Sequence, residues 1–227
     1  MKIKTPLQRA NIKTHFTYYF WAYLLVIVGA IFGWNLLYTV TAYRSPENKR
    51  VDLYIQSSTV SDQTAKEFIQ PIWDQYVPDM EVVDAVLLQS KSDDYYSAMQ
   101  LTVYIMSQEG DIYILSSSDF KNYAAQGAFL DLEPFVNDGQ LHIDGIDVSA
   151  GYVAMVDENG LPVAQRQMFG IPLYSLYGYM DGLYMDNRDM VLAVTAYNNN
   201  TDNVIKFVDG FLEAGRGDPP EWLNNPQ

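Results

Sequence analysis

Residues 110 to 136 read GDIYILSSSDFKNYAAQGAFLDLEPFV. Gly110 stops the element before it, and Asp111 to Leu115 (DIYIL) has the β-branched and aromatic content of a short strand. The SSSDF that follows offers caps for a helix ending at Gly127. Upstream the same alternation appears twice more. Val51 to Gln56 (VDLYIQ) alternates apolar and polar residues as a strand does, and Ser57-Ser58-Thr59 leaves it for a loop. A helix capped by Ser61 follows, with Ala65, Phe68, Ile69, Ile72 and Trp73 at helical spacing; Pro71 kinks it or shifts its boundary, and Val77-Pro78-Asp79 ends it. Glu81 to Leu88 (EVVDAVLL) is a second strand. Ser92, Asp93 and Asp94 open a second helix, where carboxylates favour the N-terminal dipole, and Tyr95, Met99, Val103 and Met106 are expected to form its buried stripe. The order β-α-β-α-β-α implies a parallel sheet with helices on both faces, and such sheets bind ligands beyond the carboxyl ends of their strands.

Downstream, MVLAV within 190 to 197 reads as a buried strand of the same sheet. Asp202 to Ala214 reads as a helix burying Val204, Val208, Phe211 and Leu212 and stopping at Gly215. Asp157-Glu158-Asn159-Gly160 reads as a hairpin turn.

The N-terminal region has a different character. Phe16 to Tyr38 is free of charged side chains, and about 20 such residues suffice for a helix to cross a bilayer core. Tyr18, Tyr19, Trp21 and Tyr23 crowd one end, and Trp34, Tyr38 and Tyr43 the other, as aromatic belts do at the two interfaces. The chain therefore divides into a cytoplasmic tail (1–15), a transmembrane helix through the lipid bilayer (16–40), a tether (41–50), an extracellular domain (51–215) and a C-terminal tail (216–227). Lys2, Lys4, Arg9 and Lys13 place the short tail inside by the positive-inside rule. A signal peptide cleaved after Ala42 is the rival reading, against which the apolar run is too long for an ordinary signal core. Gly29 and Gly33 form the G-x-x-x-G spacing that lets two such helices approach, but glycine is common in such helices and the spacing alone does not commit the chain to a homodimer.

Beyond residue 50 there are seven Lys or Arg against 27 Asp or Glu. That excess repels phosphate backbones and excludes nucleic acid as a partner. With no Cys the fold rests on packing alone, which suits a bacterial cell surface better than a disulfide-built secreted domain.

VDLYIQSS, VPDMEVV, DDYYSAM, SQEGDIYIL and AAQGAFLDLEPFV resemble, in order and spacing, the first lobe of the extracellular solute-binding proteins of ABC importers, the sugar-binding family. The features that carry the resemblance fall on Gly110, Asp111, Gly127, Leu132 and Pro134; where the family often has Pro-Asp at the strand start, this chain has Gly110-Asp111. MFGIPLYSL at 168 to 176 looks like the family's crossover strand, and MVLAVTAYNNNTDNVIKFVDGFLEAG like its return segment. In the family a second lobe is inserted between these two, whereas here Pro172 and Met190 stand too close to enclose one. The resemblance implies an α/β, Rossmann-like single lobe with a mixed, mainly parallel sheet. It implies no enzymatic activity and no cofactor, with an ABC permease, a full-length solute-binding protein, or a sugar or oligosaccharide as partners.

By that resemblance and by the sheet rule, the ligand-binding edge comprises Ser57, Ser58, Ser116, Ser117, Ser118 and Asp119. Hydroxyls and a carboxylate suit a polyol. The alternative is that Ser117, Ser118 and Asp119 merely cap the next helix. Tyr174, Tyr177, Tyr179 and Tyr184 are stacking surfaces for sugar rings or simply packing residues. Asp181, Asp186 and Asp189 lack the oxygen spacing of a calcium loop, His15 and His142 stand alone, and no nucleophile elbow, phosphate loop or zinc helix motif occurs. Arg216-Gly217-Asp218 is a chance-length match to an adhesion tripeptide. Thr201, in the sequon Asn199-Asn200-Thr201, is expected to cap the last helix. Function is then either accessory to carbohydrate ABC import, by weak ligand binding or permease docking, or that of a structural or sensory surface ectodomain that has lost solute binding.

Overall fold

The charge-free stretch from Phe16 belongs to one continuous helix, α1 (Arg9–Thr41), in the computed structural model, which describes residues 9–43, 45–88, 95–157 and 159–219. Its stretch Thr17–Thr41 is 25 residues long, apolar enough to cross a membrane, and none of it is buried. The chain divides into two compact units, Met1–Arg44 and Ser45–Gln227.

In the second unit, strand alternation sets the architecture. The elements run β1 (Arg50–Gln56), α2 (Asp62–Tyr76), β2 (Val82–Leu88), α3 (Tyr95–Met106), β3 (Ile112–Ser116), α4 (Ser117–Ala125) and α5 (Glu133–Asn137). There follow β4 (Tyr152–Val153), β5 (Gln167–Met168), β6 (Ile171–Pro172), α6 (Gly178–Gly182), β7 (Met190–Val194) and α7 (Thr201–Ala214). The main sheet has the order β2-β1-β3-β7-β6, while β4 and β5 pair separately. β1 is parallel to both β2 and β3, and β7 runs antiparallel to its neighbours β3 and β6. Four of the five strands therefore point the same way, a mixed and mostly parallel sheet.

Two-residue periodicity sorts the side chains into two cores. Val51, Leu53, Ile55, Ile112, Ile114, Leu192 and Val194 enter one, with Ile69 and Ile72 of α2 and Val204, Val208, Phe211 and Leu212 of α7. Tyr54, Tyr113, Leu115, Val191 and Ala193 enter the other, with Leu101 and Ile105 of α3 and Phe120 and Ala124 of α4. Thus α2 and α7 cover one face, and α3 and α4 the other. This follows from β2 and β3 lying on opposite sides of β1, so that crossovers of one hand fall on opposite faces.

Ser61 accepts the Thr64 N–H and caps α2, and Pro71 sits on that helix's exposed side, where the carbonyl it leaves without a helical donor can face water. Two expectations need correction. In α3 the residues Met99, Val103 and Met106 are exposed, and the stripe that packs on the sheet is Leu101, Tyr104 and Ile105 instead. The helix has no charged residue, and its polar Ser97, Gln100 and Thr102 are spread around it, so it gives no periodic signal to say which face turns inward. The Tyr95 side chain and the cap expected at Ser92 to Asp94 lie outside the described residues. At α7 the N-cap is Asn200, without a side-chain cap bond, while the Thr201 hydroxyl donates to the Asn198 carbonyl at 3.3 Å.

Candidate functional site

The sheet selects one location. Strand order reverses at β1, with β2 on one side and β3 on the other, and the crevice at the carboxyl ends of such a pair is where open α/β sheets bind. Those ends are Gln56-Ser57-Ser58 and Ser116 to Asp119, so the structure brings the two expected serine clusters to one edge.

Gln56, which sequence reasoning passed over, ties them together. Its Nε2 donates to Asp119 Oδ2 at 2.7 Å, and its Oε1 accepts the Ser116 N–H at 2.8 Å. Ser116, the residue that caps α4, accepts the Asp119 N–H at 3.3 Å and donates its own hydroxyl to Asp119 Oδ2 at 3.0 Å. Asp119 and Ser116 are thus engaged in a reciprocal cap. Ser117 donates its N–H to the Asp189 carbonyl at 2.9 Å. The Ser57 hydroxyl accepts the N–H groups of Thr59 and Val60 at 3.2 and 3.4 Å. Ser58 and Ser118 are exposed at the rim, Ser118 with its hydroxyl 3.0 Å from that of Ser116.

The loop between α6 and β7 completes the edge. Thr59 Oγ1 donates to the Tyr184 carbonyl at 2.7 Å, and Tyr184 is a non-glycine residue at φ 54°, with its side chain exposed. Such a backbone conformation costs of the order of 1–3 kcal/mol and is held only where surrounding structure fixes it. Fully buried Asn187 supplies that fixation by donating to the carbonyls of Leu173 and Leu176. Beside Tyr184 lies an open depression of about 320 Å³ lined with Met180, Met185, Asp186 and Arg188. Asp186 and Arg188 pair at 2.6 Å, which holds the Asp186 carboxyl below its usual range. The other tyrosines divide: Tyr179 is buried, stacked on Phe211 at 4.9 Å and donating to its carbonyl, so it is a packing residue, whereas Tyr174 is exposed.

A second cavity, of about 430 Å³, lies at the other end of the same strands, lined by Glu47, Arg50, Asp52, Glu109, Asp111 and Asn198 among others. Asp111 Oδ2 accepts the Asp52 N–H at 2.8 Å, and Arg50 pairs with Asp52 at 2.7 Å. Burial pushes the Asp111 carboxyl up to about 6. His142 is not isolated as its sequence position suggested: its Nδ1 lies 3.0 Å from Asp209 Oδ1, and its N–H donates to the same oxygen at 2.8 Å. Among the described residues no group of three or more His, Asp or Glu is placed to hold a metal ion. The switch-point edge offers hydroxyls, a carbonyl-lined rim and one exposed ring, a surface able to hydrogen-bond and stack on a hydroxylated molecule.

The sequence matches no family model and no curated protein. Similar solved structures include a family 1 extracellular solute-binding protein from Alicyclobacillus acidocaldarius, at 12% identity and TM-score 0.40, covering 54% of this chain and 27% of that one. An ABC substrate-binding protein from Listeria monocytogenes, in complex with cycloalternan, shares 18% identity at TM-score 0.36, covering 54% of this chain and 28% of its own. A third, AttC of Agrobacterium tumefaciens in an open unliganded conformation, shares 12% identity at TM-score 0.38 over 74% of this chain and 80% of its own. The chain spans about a quarter of the length of the first two.

Proposed function

We propose that this chain is a membrane-tethered, outward-facing solute-binding-protein-like lobe that catalyses no reaction. Its work is accessory to carbohydrate ABC import, by weak binding of a sugar or oligosaccharide or by docking to a permease. The observation that carries this reading is the switch-point edge itself. There Ser57, Ser58 and Ser116 to Asp119 meet at the ends of β1 and β3, and Thr59 ties the backbone carbonyl of exposed Tyr184, which stands at a costly φ of 54°, to the same edge. The resemblance of the sequence blocks to the sugar-binding family supports the same ligand class. α1 serves as the single-pass anchor, with 1–15 cytoplasmic and residues 51–215 outside. An edge without a facing lobe leaves most of a ligand in water, so affinity in this reading is low.

The test is thermal stability of the full chain in detergent micelles against a panel of oligosaccharides. A ligand with a dissociation constant of about 1 mM, present at about 10 mM, stabilises the native state by about 1.4 kcal/mol, or roughly 3–6 °C. A flat response across the panel refutes ligand binding. Recovery of importer subunits in a pull-down from native membranes then separates permease docking from a structural or sensory role.

A further inference from the structure

We infer that the outward face of α3 is a docking surface for the bilayer, laying the outer unit against the membrane that α1 enters; this rests on the reading of α1 as a membrane span. α3 has 12 residues and no Asp, Glu, Lys, Arg or His. Leu101 and Ile105 pack on the sheet, while Met99, Val103 and Met106 are 53%, 52% and 74% exposed, with Tyr96 outward at 78%. Positions 96, 99, 103 and 106 recur at helical spacing and form one stripe opposite the packed one. The neighbours of that stripe, Gln100 and Thr102, are also uncharged. In a region with 27 acidic residues beyond position 50, a helix free of charge with thioethers on its surface is a departure that solubility does not explain.

Chain connectivity identifies the occupant. Ser107, Gln108, Glu109 and Gly110, which follow directly on α3, line the same cavity as Glu47 and Arg50, where the chain enters the sheet. Arg50 is nine residues beyond the last residue of α1, a length that reaches at most roughly 30 Å when extended. The C-terminal end of α3, with Met106, is therefore within reach of the bilayer surface whenever α1 spans it. Apolar side chains on such a surface helix sink into the boundary between headgroups and acyl chains. A second copy of this acidic unit approaches against like charge, whereas a zwitterionic bilayer carries no net charge to oppose it.

The chain has no cysteine, so single introduced cysteines can carry an environment-sensitive fluorophore in the full chain. The protein is reconstituted in phosphatidylcholine vesicles with and without spin-labelled lipid as quencher. Val103→Cys and Met106→Cys report the docking face, Ile27→Cys reports insertion of α1, and Leu161→Cys reports background from an exposed site elsewhere on the outer unit. Lipid quenching at positions 103 and 106 at least threefold above that at 161, and lost from 103 when Met99→Asp and Met106→Asp are added, is the expected result. Quenching at 27 with background levels at 103 and 106 overturns the docking surface and leaves the anchor standing. No quenching at 27 overturns the anchor and this inference with it. A blue shift at 106 that grows with protein concentration, without lipid quenching, assigns the face to a second copy and overturns the inference as well.

Discussion

Gly110→Ala tests the packing that joins α3 to β3. Gly110 has φ +77°, and a Cβ there stands 2.5 Å from the Tyr54 ring. The ring is held on two sides, stacked on Tyr113 at 4.9 Å and edge-on to Tyr104 at 5.1 Å and only 6% exposed, so that it can give way only toward the cavity it borders at the amino ends of the strands. Two costs add. A left-handed alanine costs about 1–2 kcal/mol, and forcing atoms into a filled core costs about 1–3 kcal/mol more. The reference variant is Gly139→Ala, at φ +72° with nothing within 4 Å of its Cβ, which carries only the first cost. In the full chain in detergent, followed by circular dichroism at increasing temperature, Gly139→Ala is expected to lower Tm by about 2–6 °C. Gly110→Ala is expected to lower it by about 6–15 °C, from the entropy of unfolding of a unit this size. Equal shifts for the two variants refute the claim that Tyr54 is locked against Gly110.

Three further perturbations address the two ends of the sheet. The Asp111 carboxyl, pushed up to about 6 by burial from an ordinary 3.8, holds its proton more tightly folded than unfolded, so its contribution is complete below about pH 4 and is lost as pH rises through 6. Asp111→Asn keeps an acceptor for the Asp52 N–H and removes that slope; urea titrations should show the variant gaining about 2–3 kcal/mol on the wild type between pH 4 and 7, and parallel pH profiles would contradict the burial argument. Gln56→Ala leaves the Ser116 N–H without its partner and removes one of the two donors to Asp119 Oδ2, and should cost about 1–2 kcal/mol in the same titration, whereas Ser58→Ala should change nothing beyond about 0.5 kcal/mol; equal effects would mean that Gln56 is not the bridge. Tyr184→Gly relieves the left-handed strain while losing the ring, so stability should stay within about 1 kcal/mol of wild type while any oligosaccharide-induced thermal shift disappears; a retained shift would remove Tyr184 from the binding surface.

The four longer strands and their alternation with helices were legible because period-two alternation is imposed by the pleat itself, and VDLYIQ, EVVDAVLL, DIYIL and MVLAV all carry it or a buried run. Gly127, with φ +78° just after α4, and Gly215, the C-cap of α7, announced helix ends for the same local reason. The inward face of α3 was not legible, since its few polar residues, Ser97, Gln100 and Thr102, are scattered around the helix and mark no one side. The candidate site was half legible: the serines after two parallel strands could be placed at one edge from the sequence, yet their hydrogen bonds depend on Gln56, Asp189 and Tyr184, the last two more than 60 residues away in sequence. Gln56 gave no signal because a polar residue at a strand end is ordinary until its partner on β3 is known. Asn187, fully buried, could have been flagged only by knowing that the loop around it turns back on Leu173 and Leu176.

The packing of α7 over α2 carries a consequence for how this unit is made. The core on that face joins Ile69 and Ile72, from early in the chain, to Val208, Phe211 and Leu212, from near its end. Gly210 belongs to the same late segment, and its backbone lies so close to Tyr76 that a Cβ there would stand 2.5 Å from the ring. Until residues 201–214 leave the ribosome and reach the sheet, the apolar stripe of α2 is covered only in part, by β1 and β2. Folding of the outer unit is therefore a late, non-local event, slowed by the closure of a loop of well over a hundred residues, and the half-made chain presents a sticky surface throughout its synthesis.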